Sequence, residues 1–320
     1  RDVERSRGLG DVYKRQQEDY FNMYRIDDKS DLKEAVLYVD YKTNIREHNM
    51  AAAGREAGCG FSKSFVESFL CSDGLPISLS NKYLGDETMR KETANRDPRL
   101  KQLILTNDFP TNVTDDLKDS TFVVNEDEFI TQHCFTGYRP IKGFNPIYSQ
   151  ALYMKSSFDG IAYRYAETLL INAEAKAELN TITDADLDRT INQLRDRVGM
   201  PHLTVNVGFT DPKWPDWGYS LSPILQEIRR ERCIELAGEG FRFNDLKRWK
   251  AGKVLNNVLT YVGKRKPDGN LAIVYPNYTN PDLSYQAGKS RTWEDKMYLY
   301  PIPTGELQRN PQLLPQNPGW

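Results

Sequence analysis

The clearest hydrophobic pattern lies in the middle of the chain, where apolar residues recur at helical spacing. Over residues 161–180, one face carries small and aliphatic side chains separated by three or four positions. These positions are Ala162, Ala166, Leu169, Ala173 and Ala177. Small residues on one face let a second helix approach closely. The pattern therefore predicts a helix over residues 161–180 that packs tightly against a neighbour.

A second helix is predicted over residues 184–198, because Thr183 is a suitable N-cap and Gly199 is a suitable residue just beyond the end. Its apolar face consists of Leu187, Ile191, Leu194 and Val198. Two helices joined by a short turn form an antiparallel hairpin of the kind found in tetratricopeptide repeats. No second copy of this unit recurs at the repeat spacing, so we expect a hairpin and not a repeat array.

A third helix is predicted over residues 223–237, with Ser222 as its N-cap and proline in its first turn. Three charged residues, Glu231, Arg232 and Glu235, fall on the same face as its apolar residues. Charged groups on an apolar face must be paired if they are buried. Two interpretations compete: a buried arginine–glutamate network that fixes the helix, or a pair of active-site carboxylates.

We favour the structural network. Adjacent arginines would keep both Glu231 and Glu235 ionised, and an ionised carboxylate is a poor general acid. We therefore predict that both glutamates are buried and that their partners are arginines such as Arg232 or Arg242.

The rest of the chain gives weaker patterns. Residues 32–40 end in a strand-like apolar run, and residues 243–252 indicate a short helix that closes at a glycine. Residues 71–144 are dense in Pro, Gly, Asn and Asp, so we expect loops there with a few short strands, at runs such as 100–106 and 120–124.

The amino-acid composition argues against several classes of function. The 320 residues include 43 Lys+Arg and 45 Asp+Glu, and the resulting net charge of −2 gives no global electrostatic case for nucleic acid or an anionic membrane as a partner. No apolar run is long enough to span a bilayer. The four Cys and three His are scattered and contain no C-x-x-C, so no metal site or cofactor is predicted.

The two ends of the chain differ from its body. Residues 1–16 have a net charge of +2 and no sustained hydrophobic period, and we interpret them as a disordered or foreign arm. The last eleven residues contain three prolines, which argues against regular structure, and their Leu313, Leu314 and Trp320 indicate a tail packed onto the body.

Two short motifs resemble ligand-binding loops but lack required residues. GCGFSKS (58–64) has Lys63 where a phosphate loop needs a third glycine. DADLD (184–188) has alternating aspartates like a calcium loop, but Arg189 follows where glycine is required. A glycosidase carboxylate pair is not excluded by counting, and nothing in the sequence singles one out.

The aromatic residues suggest a binding function. The chain has 18 Tyr and 5 Trp, and several lie in polar, proline-containing loops. Exposed aromatic faces suit the apolar C–H faces of pyranose rings, although loop aromatics also serve to anchor loops to the body. The candidate ligand-binding residues are Trp214, Trp217, Tyr275, Tyr278 and Trp293.

Six ordered segments resemble the signatures of the SusD/RagB family. Two lie in the middle of the chain, CSDGLPISLSNKYLGD (71–86) and NRDPRL (95–100). The four C-terminal ones span residues 161–179, 190–201, 227–249 and 298–320. The resemblance covers residues 32–320 and implies a mainly α fold, with tetratricopeptide-like helical hairpins beside a loop-rich irregular part with short strands.

The resemblance also implies a function and a location. Members of this family are surface-exposed outer-membrane lipoproteins that capture glycans or other nutrients and deliver them to a SusC-like TonB-dependent transporter, without catalysis. Residues 17–320 would form a single domain of this kind that lacks its N-terminal helical hairpins, its signal peptide and its lipidated cysteine. The alternatives are a glycan-active hydrolase and a structural lid subunit without ligand affinity.

Overall fold

The computed structural model describes residues 20–52, 60–131, 133–273 and 292–320. Helices predominate in these ranges and the strands are few and short. The helices are α1 (Lys63–Ser68), α2 (Met89–Thr93), α3 (Arg99–Leu103), α4 (Tyr165–Glu178), α5 (Asp184–Asp188), α6 (Ile191–Arg197), α7 (Pro223–Glu235), α8 (Phe241–Arg248) and α9 (Thr304–Arg309). The strands are β1 (Ala35–Val39), β2 (Pro110–Val113), β3 (Ser120–Phe122), β4 (Gly160–Arg164), β5 (Val262–Arg265) and β6 (Leu271–Ile273).

The helical core forms where α4, α6 and α7 pack against one another. The small residues of α4 allow α7 to approach, and Leu170, Ala173, Ile191 and Ile228 are fully buried at the shared core. The mainly α fold with a helical hairpin is therefore confirmed.

The predicted N-caps hold the starts of two of these helices. The Ser222 hydroxyl accepts a hydrogen bond from the Leu225 amide, with Pro223 in the first turn of α7. At α5, Thr183 accepts from the Asp186 amide while the Asp186 carboxylate accepts from the Thr183 amide. This reciprocal arrangement satisfies two amide groups that the helix itself leaves unpaired.

The predicted helix over residues 161–180 is wrong at its start. Residues 160–164 form strand β4, which pairs antiparallel with β1 so that Ala35 lies opposite Arg164. Arg164 has extended backbone angles, and the helix begins only at Tyr165. Pairing with β1 supplies backbone hydrogen bonds that override the helical pattern of the first four residues.

The second predicted helix, over residues 184–198, is divided. Thr190 has φ −130° and ψ −94°, and its hydroxyl donates to the carbonyl of Asp186 at 2.6 Å. A side-chain bond of this kind competes with the helical backbone pattern. The result is the short helix α5 followed by α6, with both apolar faces still turned into the same core.

The loop-rich part contains more helix than predicted. The run at 120–124 does form strand β3, which pairs with β2. The run at 100–106 lies partly in helix α3, because Leu100 and Leu103 are both buried on one side of a single helical turn. Helix α2 was not predicted.

Strand β5 passes very close to another segment of the chain. The Lys264 amide donates to the carbonyl of Thr136 at 2.8 Å. A Cβ atom on Gly263 would lie 2.1 Å from that same carbonyl oxygen. This close backbone approach explains why glycine occupies position 263. A similar approach occurs at Gly252, where an added Cβ would lie 2.0 Å from the indole ring of Trp293.

Candidate functional site: a buried ion network and the aromatic residues around it

The charged face of α7 is buried, and Glu235 lies at its centre with no exposed surface. Its Oε1 atom accepts from Arg164 at 2.7 Å and from Arg197 at 2.6 Å. Its Oε2 atom accepts from Arg99 at 2.9 Å and from Arg197 at 2.8 Å. Three guanidinium groups therefore surround this one carboxylate.

Glu231 lies one turn earlier and shares Arg99 with Glu235. Its Oε2 atom accepts from Arg195 at 3.0 Å, and its side chain is 2% exposed. Arg99 also bonds the carboxylate of Asp97 at 2.6 Å. One guanidinium thus joins three acidic residues from two separate segments of the chain.

Electrostatics keep both glutamates charged. Burial alone would raise the pKa of Glu235, but Arg197, Arg164 and Arg99 together hold that pKa well below its ordinary value. Burial likewise opposes ionisation of Glu231, and Arg99 and Arg195 lower its pKa. A carboxylate that stays ionised cannot donate a proton, so this pair is unsuited to general acid catalysis.

The partners proposed for these glutamates, Arg232 and Arg242, were wrong. Arg232 points to α8 and donates to Asp245 at 2.8 Å. The guanidinium of Arg242 lies 5.9 Å from the ring centroid of Trp217. Arg232 follows Glu231 directly on α7 and points to another side of that helix, and Arg242 lies on α8. The observed partners come from other elements and reach the buried face of α7 from outside. Those partners are Arg99, Arg164, Arg195 and Arg197.

A second buried charge cluster surrounds Lys63, the residue that stands in GCGFSKS where a phosphate loop needs a third glycine. Lys63 Nζ lies 2.6 Å from Glu92 and 2.8 Å from Asp86. The Tyr138 hydroxyl also donates to Glu92, at 2.8 Å. Lys63 is 2% exposed and its ammonium group is already paired with the carboxylates of Glu92 and Asp86, so it is not available to an external phosphate.

Trp217 does not fit the prediction of an exposed ligand platform. It is 3% exposed, and its ring meets that of Trp249 edge to face at 5.6 Å. Its indole nitrogen donates to Gln226 at 2.6 Å. Trp217 is therefore a core residue. The polar, proline-containing sequence around it suggests an exposed loop, but the composition of a loop does not determine which of its side chains are buried.

Trp214 is half-buried and fixed in place. Its indole nitrogen donates to Glu227 Oε1 at 2.8 Å. The centroid of its ring lies 6.2 Å from that of Phe209, with the planes inclined by 33°. The residue as a whole keeps part of its surface exposed to solvent.

Trp293 is also half-buried, within a group of three aromatic rings. Its centroid lies 5.0 Å from Tyr298 and 6.3 Å from Phe243. One face of the ring packs directly on Gly252. The two remaining candidates, Tyr275 and Tyr278, lie outside the described residues.

The sequence reasoning missed a more exposed aromatic loop. Tyr148 is 51% and Tyr153 is 77% exposed, in a segment that contains asparagine and proline just upstream. The Tyr148 amide donates to the carbonyl of Val113, which holds this loop beside β2. Residues 145–154 carry the same signal that singles out Trp214 and Trp217, which is aromatic side chains in a polar, proline-containing segment.

The described residues contain no helix that is both long enough and apolar enough to cross a membrane. In the same ranges, no group of three or more His, Cys, Asp or Glu side chains is placed to hold a metal ion.

Comparison with known proteins identifies the relatives of this chain. The model of the SusD family matches residues 13–320. The chain belongs to the SusD family. SusD-like protein P2 of Formosa agariphila is 31% identical over 166 residues, which cover 52% of this chain and 27% of that protein.

Two solved structures from Bacteroides fragilis share the fold. A SusD-like protein is 24% identical, has a TM-score of 0.65, and aligns with 95% of this chain and 57% of its own. A SusD-like carbohydrate-binding protein is 23% identical, has a TM-score of 0.61, and aligns with 96% of this chain and 62% of its own. The chain therefore spans less than two thirds of the length of these SusD relatives.

Proposed function

We propose that this SusD-family chain binds a glycan at the cell surface and delivers it to a SusC-like TonB-dependent transporter. The observation that carries this proposal is the family match over residues 13–320, together with a solved relative described as carbohydrate-binding. In this proposal the protein resides at the outer membrane, where a lipid anchor attaches it, and the transporter barrel is its partner.

We also propose that the protein has no hydrolase activity. The geometry of α7 supports this, because Glu231 and Glu235 are held ionised by arginines and are enclosed by them. A retaining or inverting glycosidase needs one carboxyl group that carries a proton at working pH.

Trp214 and Trp293 remain platform candidates among the described residues, since each is only half-buried. Their neighbours include Asp216 and Asn256, which can hydrogen-bond sugar hydroxyls beside a stacked ring. Tyr275 and Tyr278 stay in the proposal as candidates. Loss of an essential platform should cost about 2 kcal/mol of binding free energy, or roughly thirty-fold in affinity.

Affinity electrophoresis of the full chain in gels that contain soluble polysaccharides tests glycan binding. Retardation in at least one gel, with no release of reducing ends from the same polysaccharide, is the expected result. Release of reducing ends would favour the hydrolase, and absence of retardation across the panel would favour a lid subunit without ligand affinity. Calorimetry on Ala variants of Trp214, Trp293, Tyr275 and Tyr278, each with an unchanged thermal midpoint, then locates the platform.

The transporter partner needs a separate test. The expected result is co-purification of a SusC-like barrel with an affinity-tagged copy of the protein from detergent-solubilised outer membranes of its own host. If tagged protein from that membrane fraction carries no such barrel after mild cross-linking, the delivery role is contradicted while glycan binding still stands.

A further inference from the structure

A cleft of about 640 Å³ opens where the loop of residues 205–210 faces the start of α7. Residues 205–210 and 222–224 line it, and Phe209 supplies its aromatic ring. The volume lies within the range of small-molecule sites. Several of the lining residues, including Asn206 and Thr210, are exposed, so the cleft is open to solvent and accessible to one segment of a long polymer.

The lining of this cleft is uncharged and combines polar and apolar groups. None of the nine lining residues, all of which the structure describes, carries an ionisable side chain. The polar side chains are the amide of Asn206 and the hydroxyls of Thr210 and Ser222. The apolar ones are the aliphatic groups of Val205, Val207, Pro223 and Ile224 and the ring of Phe209. A charged ligand would find no ionic partner among these residues, whereas a neutral ligand needs none, so charge complementarity favours a neutral ligand.

The aromatic wall of the cleft continues beyond it. Phe209 and Trp214 lie 6.2 Å apart between centroids, and the indole nitrogen of Trp214 is bonded inward to the fully buried Glu227. The Trp214 turn is fixed in addition by Asp211, whose carboxylate accepts from Arg230 at 2.7 Å. Rings held in advance lose little conformational freedom when a ligand binds.

We propose that this cleft, with Phe209 and Trp214 as its aromatic wall, is a binding subsite for a neutral oligosaccharide. The proposal rests on the glycan-binding function proposed above and specifies its place and its ligand class. The C–H face of an uncharged sugar ring would stack on the aromatic wall, and its hydroxyls would bond the amide of Asn206 and the hydroxyl of Thr210.

Two variants of the full chain test the subsite from opposite directions. Phe209→Ala removes the ring, whereas Asn206→Trp fills the cleft from an exposed position without removing a core contact. Phe122→Ala is the matched control, because Phe122 is 42% exposed on β3 and does not line the cleft. Each variant is first checked for an unchanged thermal midpoint.

The probes are neutral polysaccharides (starch, galactomannan and xyloglucan) and anionic ones (alginate and polygalacturonate), each in affinity gels. We expect the parent to be retarded by at least one neutral polymer and by neither anionic one. Phe209→Ala and Asn206→Trp should each weaken that binding by about ten-fold, with Phe122→Ala unchanged.

Three results would overturn the proposal in distinguishable ways. If both cleft variants are folded and bind as tightly as the parent, the subsite is elsewhere while glycan binding stands. Retardation of the parent by anionic polymers alone would contradict the ligand class. A parent that is retarded by no polymer would contradict both the subsite and the glycan-binding function. If Phe209→Ala fails to fold, Asn206→Trp alone decides, since it only adds bulk.

Discussion

Glu235 and Glu92 are both fully buried carboxylates, yet the chain stabilises them with different kinds of partner. Glu235 is bonded by three arginines, Arg99, Arg164 and Arg197. Glu92 is bonded by one lysine, Lys63, and by the hydroxyl of Tyr138. Burial opposes ionisation at both, and the pKa of Glu235 falls well below its ordinary value while that of Glu92 rises.

A simple ion pair would raise the pKa of the lysine and lower that of the carboxyl group. The pKa of Lys63 is raised accordingly, but the pKa of Glu92 is raised as well. Burial and Lys63 act in opposite directions on Glu92, and burial prevails. Lys63 stays charged because Glu92 and then Asp86 raise its pKa against the effect of burial. The pKa of Asp86 is in turn lowered to about 2 by Arg265 and Lys63, against the effect of its own burial.

The two clusters should therefore respond differently when one partner is removed. A buried carboxylate that loses its cation can take up a proton and become neutral. An arginine that loses its carboxylate cannot give up its proton at any ordinary pH. Removing an acid from the first cluster should be more costly than removing the cation from the second.

The largest effect is expected for Glu235→Ala. This change leaves two buried guanidinium groups, those of Arg99 and Arg164, and the half-buried one of Arg197 without their common acceptor. It should reduce the free energy of unfolding by about 3–5 kcal/mol, and Glu231→Ala should behave similarly. Urea denaturation measures it. Asp108→Ala is the control, because Asp108 pairs with Arg90 at the surface and should change stability by about 0–1 kcal/mol. Equal midpoints for Glu235→Ala and its parent would show that the network contributes nothing.

A somewhat smaller loss is expected for Arg99→Lys. An ammonium group cannot reach Asp97, Glu231 and Glu235 together as the guanidinium does, so we expect a cost of about 2–3 kcal/mol. Arg90→Lys, at an exposed pair, is the matched control and should be close to neutral. If both changes cost the same, the shape of the Arg99 guanidinium has no role.

Lys63→Met should cost less, about 1–2 kcal/mol at pH 7, because Glu92 can respond by protonation. The cost should shrink at pH 5, where the proton is more readily supplied. Denaturation of parent and variant at the two pH values measures this difference, with Lys91→Met as the control at an exposed pair. A cost that is the same at both pH values would contradict protonation of Glu92.

The smallest effect concerns the sign of the pH dependence. Between the ordinary glutamate pKa and the raised pKa of Glu92, the folded state binds more protons than the unfolded state, so Glu92 makes stability fall as pH rises. Glu235 and Glu231, with lowered pKa values, make stability fall as pH drops below the ordinary glutamate range. Glu92→Gln should remove only the first slope, so the stability of this variant should fall less between pH 5 and pH 7 than that of the parent. An unchanged pH profile for this variant would contradict the raised pKa.

The helices could be predicted where the spacing of apolar residues in the sequence matches the face that packs in the core. Over residues 165–178 and 223–235, apolar residues recur every three or four positions and the N-cap at Ser222 is a local signal. The start at residue 161 was wrong because strand pairing with β1 is a long-range event. The break at Thr190 depends on one side-chain bond that helical periodicity does not report.

The acidic residues of the ion network could be identified from the sequence, but their partners could not. Glu231 and Glu235 stand out as charges on an apolar face, whereas Arg99 lies 136 positions away from Glu235.

The exposure of aromatic residues in loops could not be predicted either. Trp217 and Tyr153 both occur in polar loops, yet Trp217 is 3% and Tyr153 is 77% exposed, since exposure depends on what packs above each ring.

Gly252 and Gly263, the two glycines that other atoms approach closely, should differ in whether a second mutation can compensate for their substitution. Any side chain at position 252 would collide with the indole of Trp293, so a smaller residue at 293 could act as a second-site suppressor of Gly252→Ala. Position 263 has no such suppressor, because the colliding atom belongs to the backbone of Thr136, which every residue type carries. In a saturation library, codon 263 should retain glycine alone, whereas codons 252 and 293 should vary together.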